Sequence, residues 1–420
     1  MSRVHRSLHG RVSRVHRGLH GRVAPAAAIC TVPRDQCMRF GYTARIMDLT
    51  RRLAQRTRKV EFSGIRKFFE LAGRIKDPCD LSIGLPDYDA PEPVKRAAIQ
   101  AIIDGHNRYT PSAGLPQLRE RIAAKLQEEF GQSPPAVLIT AGVSGGLTLA
   151  LMALLDPGDE AVVLDPYFVS YQHLVNMVGG TVVPVCTYPD FAFRPDVVEA
   201  AVTSRTKVLM INSPANPTGR VMTQAEVSAA AEIARRHDLI LISDEIYDRL
   251  SYDGPNPCPF SEAPDNTLLL RGFGKTFGIT GWRMGYAAGP EALIGEMTKF
   301  QQYTFVCAPS MAQHAALAAL DTDTSGHHRD YRHKRDLVCR LLDGHFEFVR
   351  PSGGFYVFPK VPDRFANATE FAEAVAGHKV LVIPGNIFSG QDTHFRISYA
   401  ASDDLIRRGC EVLCRLAAGK

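Results

Sequence analysis

No apolar run in this 420-residue chain approaches the roughly 18 residues that a membrane-spanning helix requires, and the longest, Leu147 to Leu155, reads as a core helix. No two of the nine cysteines are spaced C-x-x-C, and Cys410 and Cys414 have no histidines near them at zinc spacing. No metal site is therefore expected, and scattered reduced thiols fit a cytoplasmic protein. No acidic residue precedes Asp35, whereas the whole chain carries a formal net charge of only +5. The positive charge is concentrated at the N-terminus, so the body of the protein offers no nucleic-acid surface.

What is there begins with a duplication. Residues 2–12 and 13–23 read SRVHRSLHGRV and SRVHRGLHGRV, with six arginines and four histidines. An arginine-rich, acid-free leader resembles an organelle transit peptide, although such peptides are also rich in serine. The preferred reading of residues 1–46 is a disordered basic extension, or sequence upstream of a start at Met38 or Met47. It is set aside from the fold.

The remainder, in a chain 45% hydrophobic and 22% charged, has room for two domains. Ile65–Ile75 has a helical apolar period, and G-L-P-D-Y-D-A-P from Gly84 is a loop by its turn chemistry. Helices are expected from Pro91 to about Asp104 and from Leu115 to Phe130. Short apolar runs then recur at Val137–Thr140, Ala161–Leu164, Thr181–Val185, Lys207–Ile211, Leu239–Ser243 and Thr267–Leu270. Helical segments such as Ser144–Leu155, Tyr171–Val178 and Gln224–Arg236 separate most of them. Continuous apolar strands alternating with helices predict an α/β fold, a mostly parallel sheet sandwiched by helices. After residue 320 the texture becomes a smaller α+β domain, with strand-like runs at Gly354–Phe358, Val380–Ile383 and His394–Tyr399 and a last helix from Asp403. The expected boundaries are 91–320 for the large domain and 321–420 for the small one, with residues 47–90 packing against the latter.

Ligands in such sheets sit at the carboxyl ends of the strands. At those ends the sequence places a consistent set of groups. A-G-V-S-G-G follows the strand at Val137, so Gly142, Val143 and Ser144 open a helix whose free N–H groups suit an anion. The plainer alternative is a glycine-rich turn with Ser144 as its N-cap. Tyr167 or Phe168 follows the strand at Ala161 and could stack on a ring, or serve as ordinary core. N-S-P-A-N-P-T-G projects two amides, including that of Asn216. Asp244 ends an apolar strand, where an unpaired carboxylate is costly, so it needs a cationic partner. Tyr247, three residues on, can face the same pocket; an N-cap aspartate and a core tyrosine are the alternative. Last comes R-G-F-G-K-T-F-G-I-T-G-W-R-M-G-Y, Arg271 to Tyr286, which carries Lys275 and Arg283. G-K-T here is not a phosphate-binding P-loop, because the required earlier glycine is Leu269.

An anion cradle, an aromatic platform, an amide, a buried carboxylate, a phenol and a lysine are together what pyridoxal 5′-phosphate requires. The lysine amine forms a Schiff base with the aldehyde, and an aspartate keeps the pyridine nitrogen protonated. Asn216 and Tyr247 can both hydrogen-bond the ring's 3-oxygen, and Arg283 can grip the phosphate in bidentate fashion.

From about Ser63 to Leu416 the chain resembles the class I and II aminotransferases of pyridoxal-phosphate fold type I. The motifs that carry the likeness are N-S-P-A-N-P-T-G, S-D-E-I-Y, G-K-T-F-G-I-T-G-W-R-M-G-Y and F-R-I-S-Y-A. Y-F-V-S-Y and S-G-I-R-K-F-F look most like the aspartate and aromatic amino acid members. The resemblance implies that Lys275 is both the Schiff-base lysine and the proton-transferring base. It implies Asp244 at the pyridinium, Asn216 and Tyr247 at the 3-oxygen, Gly142, Val143, Ser144 and Arg283 at the phosphate, and Phe168 stacked on the ring. Arg396 would clamp the substrate α-carboxylate with help from Asn216 and the backbone of Gly84. Tyr109 would reach the phosphate of a neighbouring subunit, which implies a homodimer with shared sites. By its alternating pattern alone, Arg396 lies opposite Phe395, Ile397 and Tyr399, on a face that is either functional or merely solvated.

The expected activity is amino transfer from aspartate or an aromatic amino acid to a 2-oxo acid such as 2-oxoglutarate. A pyridoxal-phosphate lyase or synthase on the same scaffold is the alternative, and an aminotransferase-like regulator a more distant one. Arg66 is a candidate for a distal carboxylate, with a surface role preferred. Two departures stand out: Gly272 and Gly274 occupy positions often held by serines, and Phe168 lacks the polar handle of a tryptophan.

Overall fold

Apolar runs too continuous for a half-exposed surface become the strands of one central sheet. The computed structural model describes Leu49, residues 52–62, Gly64 and residues 75–419. The basic repeat, Arg66 and all but the last residue of the helical period over Ile65–Ile75 lie outside the described residues. Ala54–Lys420 cluster as one body. After a short β1 (Cys79–Asp80), its strands are β2 (Ala136–Ala141), β3 (Glu160–Asp165), β4 (Thr181–Cys186), β5 (Thr206–Asn212), β6 (Ile240–Asp244), β7 (Thr267–Gly272) and β8 (Met284–Gly289). Strands β2 to β8 form a seven-stranded sheet in the order β2-β8-β7-β6-β5-β3-β4. All pairs are parallel except those of β8, which is antiparallel to both β2 and β7.

Both faces of this sheet are covered. Helices α1 (Glu92–Ile103), α2 (Pro116–Phe130), α3 (Gly142–Leu154), α4 (Ser170–Val178), α5 (Pro195–Ala200) and α6 (Gln224–Arg236) precede the four-residue α7 (Phe273–Thr276). Then follow α8 (Glu291–Thr304) and α9 (Ser310–Leu320). On β5, Val208 and Met210 join a layer with Leu147, Leu151 and Met297, whereas Leu209 and Ile211 join Val227, Ala230 and Ala234. Side chains of a strand alternate between faces, so the unbroken buried apolar run from Val208 to Ile211 means helices on both sides. Thr223 and Glu226 close a reciprocal capping box at the start of α6, which places its boundary where the periodicity puts it.

The remaining elements are α10 (Ser325–Leu342), β9 (Tyr356–Val357), α11 (Ala368–Gly377), β10 (Val380–Leu381), β11 (Ile383–Pro384), β12 (Phe395–Ser398) and α12 (Asp403–Ala417). Strands β11, β12 and β9 form an antiparallel sheet, and β1 pairs in parallel with β10. Leu81, Tyr331, Val338, Phe371, Val375, Ile406 and Leu413 share the core of this part.

Strand β8 was not expected. Its sequence, M-G-Y-A-A-G, has none of the β-branched residues that mark a strand, yet all six positions are buried. Its direction matters: Met284 pairs with Ala141 at the carboxyl end of β2. Antiparallel insertion therefore delivers Arg283, the residue before β8, to the end of the sheet where α3 begins.

Candidate active site

At the carboxyl ends of β2, β5, β6 and β7 lies a cavity of about 340 Å³. Adjacent strands hold its floor in register, Asn212 opposite Asp244 and Asp244 opposite Leu270. Of the residues singled out in the sequence, Gly84, Gly142, Val143, Ser144, Phe168, Asn216, Asp244, Tyr247, Lys275, Arg283 and Arg396 all line this cavity. Tyr109 does not; its side chain is 82% exposed.

Asp244 is buried, and its carboxylate accepts from the Tyr171 hydroxyl at 2.7 Å and from the Ile246 N–H at 3.3 Å. Burial pushes its pKa up to about 6, against the lowering effect of those two hydrogen bonds. No cation among the described residues pairs with it, so the expected cationic partner is not supplied by the chain there. The segment after β6 is a turn rather than a helix, which removes the N-cap alternative for Asp244. Tyr247 is buried with its hydroxyl 3.0 Å from that of Tyr356.

Lys275 follows β7 on the single turn of α7, and its amine donates to the Gly84 carbonyl. Burial, and then the Arg396 and Arg283 cations, bring its pKa down to about 8. Arg283 adopts a left-handed conformation with φ of 55°, and donates to the carbonyls of Thr280 at 2.9 Å and Ala141 at 3.4 Å. That backbone is uncommon outside glycine, and it turns the guanidinium toward α3. Gly142, at φ of 72°, allows the approach: a Cβ there would lie 2.8 Å from Arg283 Nη2. Helix α3 begins at Gly142, not Ser144, and Ser144 plays no capping role. Its first-turn N–H groups have no intrahelical acceptors.

Arg396 on β12 is 1% exposed, which removes the solvated-face alternative. It donates to Asn216 Oδ1 at 3.0 Å and the Ser82 carbonyl at 2.7 Å, and lies between the rings of Tyr356 and Phe388. Its Nε is buried without a partner. Among the described residues, Lys275, Arg283 and Arg396 hydrogen-bond only to neutral acceptors, and the cavity combines three cationic side chains with one carboxylate. Such a set suits a ligand with anionic groups at two places and a protonated nitrogen at a third. Pyridoxal phosphate bound beside an amino acid has that distribution: phosphate for Arg283 and α3, ring nitrogen for Asp244, carboxylate for Arg396.

Sequence reasoning passed over several lining residues. Tyr171, which lies behind the lining, appears in the sequence as a helix start and as the end of Y-F-V-S-Y, and its ring meets Phe168 edge-on at 5.8 Å. Asn212 donates to the Asp244 carbonyl at 2.8 Å and accepts from the Asn216 N–H at 2.8 Å, so it ties β5 to β6 beneath the cavity. Thr280 lies within the lysine motif and Tyr356 within the run Gly354–Phe358, but neither has a pattern that marks it as lining the cavity. The departure at Gly272 has a steric reason: a Cβ there would lie 2.6 Å from Ile246 Cδ1 and 3.1 Å from Val143 Cγ2.

Comparison with known proteins agrees with this geometry. The family model for aminotransferase class I and II matches residues 76–413. The aspartate/prephenate aminotransferase of Thermus thermophilus is 40% identical over 365 residues, covering 83% of this chain and 94% of that protein. The aromatic-amino-acid aminotransferase 2 of Thermococcus litoralis is 37% identical over 367 residues, covering 83% and 94%. Among solved structures, the aspartate aminotransferase of Thermus thermophilus with maleate superposes with a TM-score of 0.83 at 38% identity, covering 87% of this chain and 99% of that one.

Proposed function

We propose, from the premise that this chain belongs to the class I and II aminotransferases, a role for each group in the cavity. The chain is a pyridoxal-phosphate-dependent aminotransferase that moves an amino group from an amino acid to a 2-oxo acid. Aspartate or an aromatic amino acid is the proposed donor and 2-oxoglutarate the proposed acceptor. Likeness to relatives named for both donor classes supports that choice. The observation that carries the reading is the set of three cationic side chains that have no anionic partners among the described residues, around one buried carboxylate.

When bound, pyridoxal phosphate supplies an aldehyde that takes up the amino group and a ring that delocalises charge from the substrate Cα. The chain's residues do the rest. Arg396 grips the α-carboxylate, and Asn216 and the backbone of Gly84 fix its orientation. Arg283, the first-turn N–H groups of Gly142 and Val143 and the Ser144 hydroxyl hold the phosphate. Asp244, aligned by Tyr171, holds a proton at the ring nitrogen. Tyr247 and Asn216 bond the 3-oxygen, and Phe168 covers the ring. Lys275 takes the proton from Cα, for which its amine must be neutral; its lowered pKa brings that state near physiological pH.

In the same reading the protein is a cytoplasmic homodimer, with Tyr109 reaching the partner's phosphate, and residues 91–320 and 321–420 form the larger and smaller domains. The pairing of β1 with β10 supports the assignment of residues 47–90 to the smaller one. The function is tested by adding single amino acids to the cofactor-loaded protein and following the cofactor's absorbance. Aspartate, phenylalanine or tyrosine should convert it to the amine form, and 2-oxoglutarate should restore it. No conversion by any of these would refute the donor assignment.

A further inference from the structure

The loop Gly84–Asp89 holds Lys275 at two places, and only one of them is the amine. The carbonyl of Gly84 accepts from the lysine Nζ. Four residues on, the Tyr88 hydroxyl donates to the backbone carbonyl of Lys275 at 2.7 Å and lies 3.1 Å from that of Thr276. Helix α7 is one turn long, so its last carbonyls have no intrahelical donors and must find partners elsewhere. Tyr88 supplies one from a segment nearly two hundred residues earlier in the chain.

The tyrosine is itself fixed from three sides. Its ring stacks on His327 of α10 at a centroid separation of 3.7 Å and 12° between planes, and Tyr331 lies at 5.6 Å. Gly278, at φ of 66°, presses against it: a Cβ there would meet the Tyr88 carbonyl oxygen at 2.7 Å and Cδ2 at 3.2 Å. Lys334 of α10 pairs with Asp87, whose N–H donates to the Tyr331 hydroxyl at 3.2 Å. The loop therefore bridges α10 to the turn that carries the lysine.

We propose that Tyr88 is a positioning residue for Lys275: its hydroxyl fixes the lysine's backbone so that the freed amine returns to one place over the substrate Cα. This inference rests on the assignment of Lys275 as the proton-transferring base. Tyr88 does not line the cavity and its hydroxyl meets only backbone carbonyls, so its loss falls chiefly on the steps that use Lys275.

The test is Tyr88→Phe, which keeps the ring stack and removes only the hydroxyl. A neutral hydrogen bond corresponds to about threefold to tenfold in rate. The turnover rate should fall by that factor, with KM for the amino donor within twofold of wild type. The isotope effect with aspartate or phenylalanine deuterated at Cα, whichever the enzyme uses, should rise. A variant that is only less folded would lower the rate without changing the isotope effect, and circular dichroism at the assay temperature measures that fraction. Asp87→Asn, which loosens the loop without touching Tyr88 or Lys275, should move the isotope effect the same way by less. Wild-type rate and isotope effect in Tyr88→Phe overturn the proposal. Amino transfer that persists in Lys275→Ala would instead overturn the assignment on which it rests.

Discussion

Asp244 carries the sharpest electrostatic consequence in the molecule. Its carboxyl has no cationic partner among the described residues, and burial holds its pKa at about 6 against an ordinary 3.8, despite the lowering effect of a phenol and an N–H that donate to it. A folded-state pKa above the unfolded one means stability is fully present below pH 4 and declines as pH rises to about 6. Asp244→Asn keeps an acceptor for Tyr171 and removes that loss. In the cofactor-free protein the variant should gain roughly 3 kcal/mol at most above pH 6, at about 1.36 kcal/mol per pH unit, and much less at pH 4. Urea unfolding at the two pH values measures it; equal effects at both would show that the carboxylate is not held in this way. The same variant should lose most of its turnover, since an amide cannot keep the ring nitrogen protonated. Asp244 was legible in the sequence because an acid ending an apolar strand demands explanation. Its partner Tyr171 was not, because a tyrosine at a helix start is ordinary core until the strand beside it is known.

Among the elements, those with strong periodicity or capping signals were legible, and β2 to β7, α6 and α12 lie within a few residues of expectation. Strand β8 and helices α8, α9 and α11 were not. Helix α9, S-M-A-Q-H-A-A-L-A-A-L, is rich in alanine and nearly uniform around its circumference, so it shows little periodic contrast. Strand β8 was hidden because its environment selects small residues. A Cβ on Gly285 would lie 2.8 Å from the Gly142 carbonyl carbon and 2.9 Å from the Val143 nitrogen, backbone atoms that cannot move aside. Gly285→Ala should therefore cost about 1–3 kcal/mol and, by displacing the start of α3, weaken cofactor retention. Equilibrium unfolding and a cofactor titration check the two parts, and an unchanged cofactor affinity would show that β8 does not support the phosphate end of the cavity. The geometry also explains how Arg283, eight residues after Lys275, reaches α3: reversal of β8 carries it there.

On the scale of the whole molecule, the cavity gathers groups from Gly84 to Arg396, and two arginines that share no local motif point into it from different sheets. Arg283 enters from the start of β8, one strand in from the edge of the central sheet, and Arg396 from β12. Burial and the two arginines together lower the lysine's pKa to about 8, and anionic ligand groups would offset the clustered positive charge. Lys275→Ala removes the amine that serves as Schiff-base former and base, while Arg283, Asp244 and Arg396 stay in the cavity. The most direct measurement is transfer of a nitrogen-15 amino group to 2-oxoglutarate, from aspartate or phenylalanine, by cofactor-loaded Lys275→Ala beside wild type. Labelled glutamate should form with wild type and fall by several orders of magnitude in the variant, while circular dichroism remains that of the folded protein. Sustained formation of labelled glutamate by the variant would contradict the central role given to Lys275.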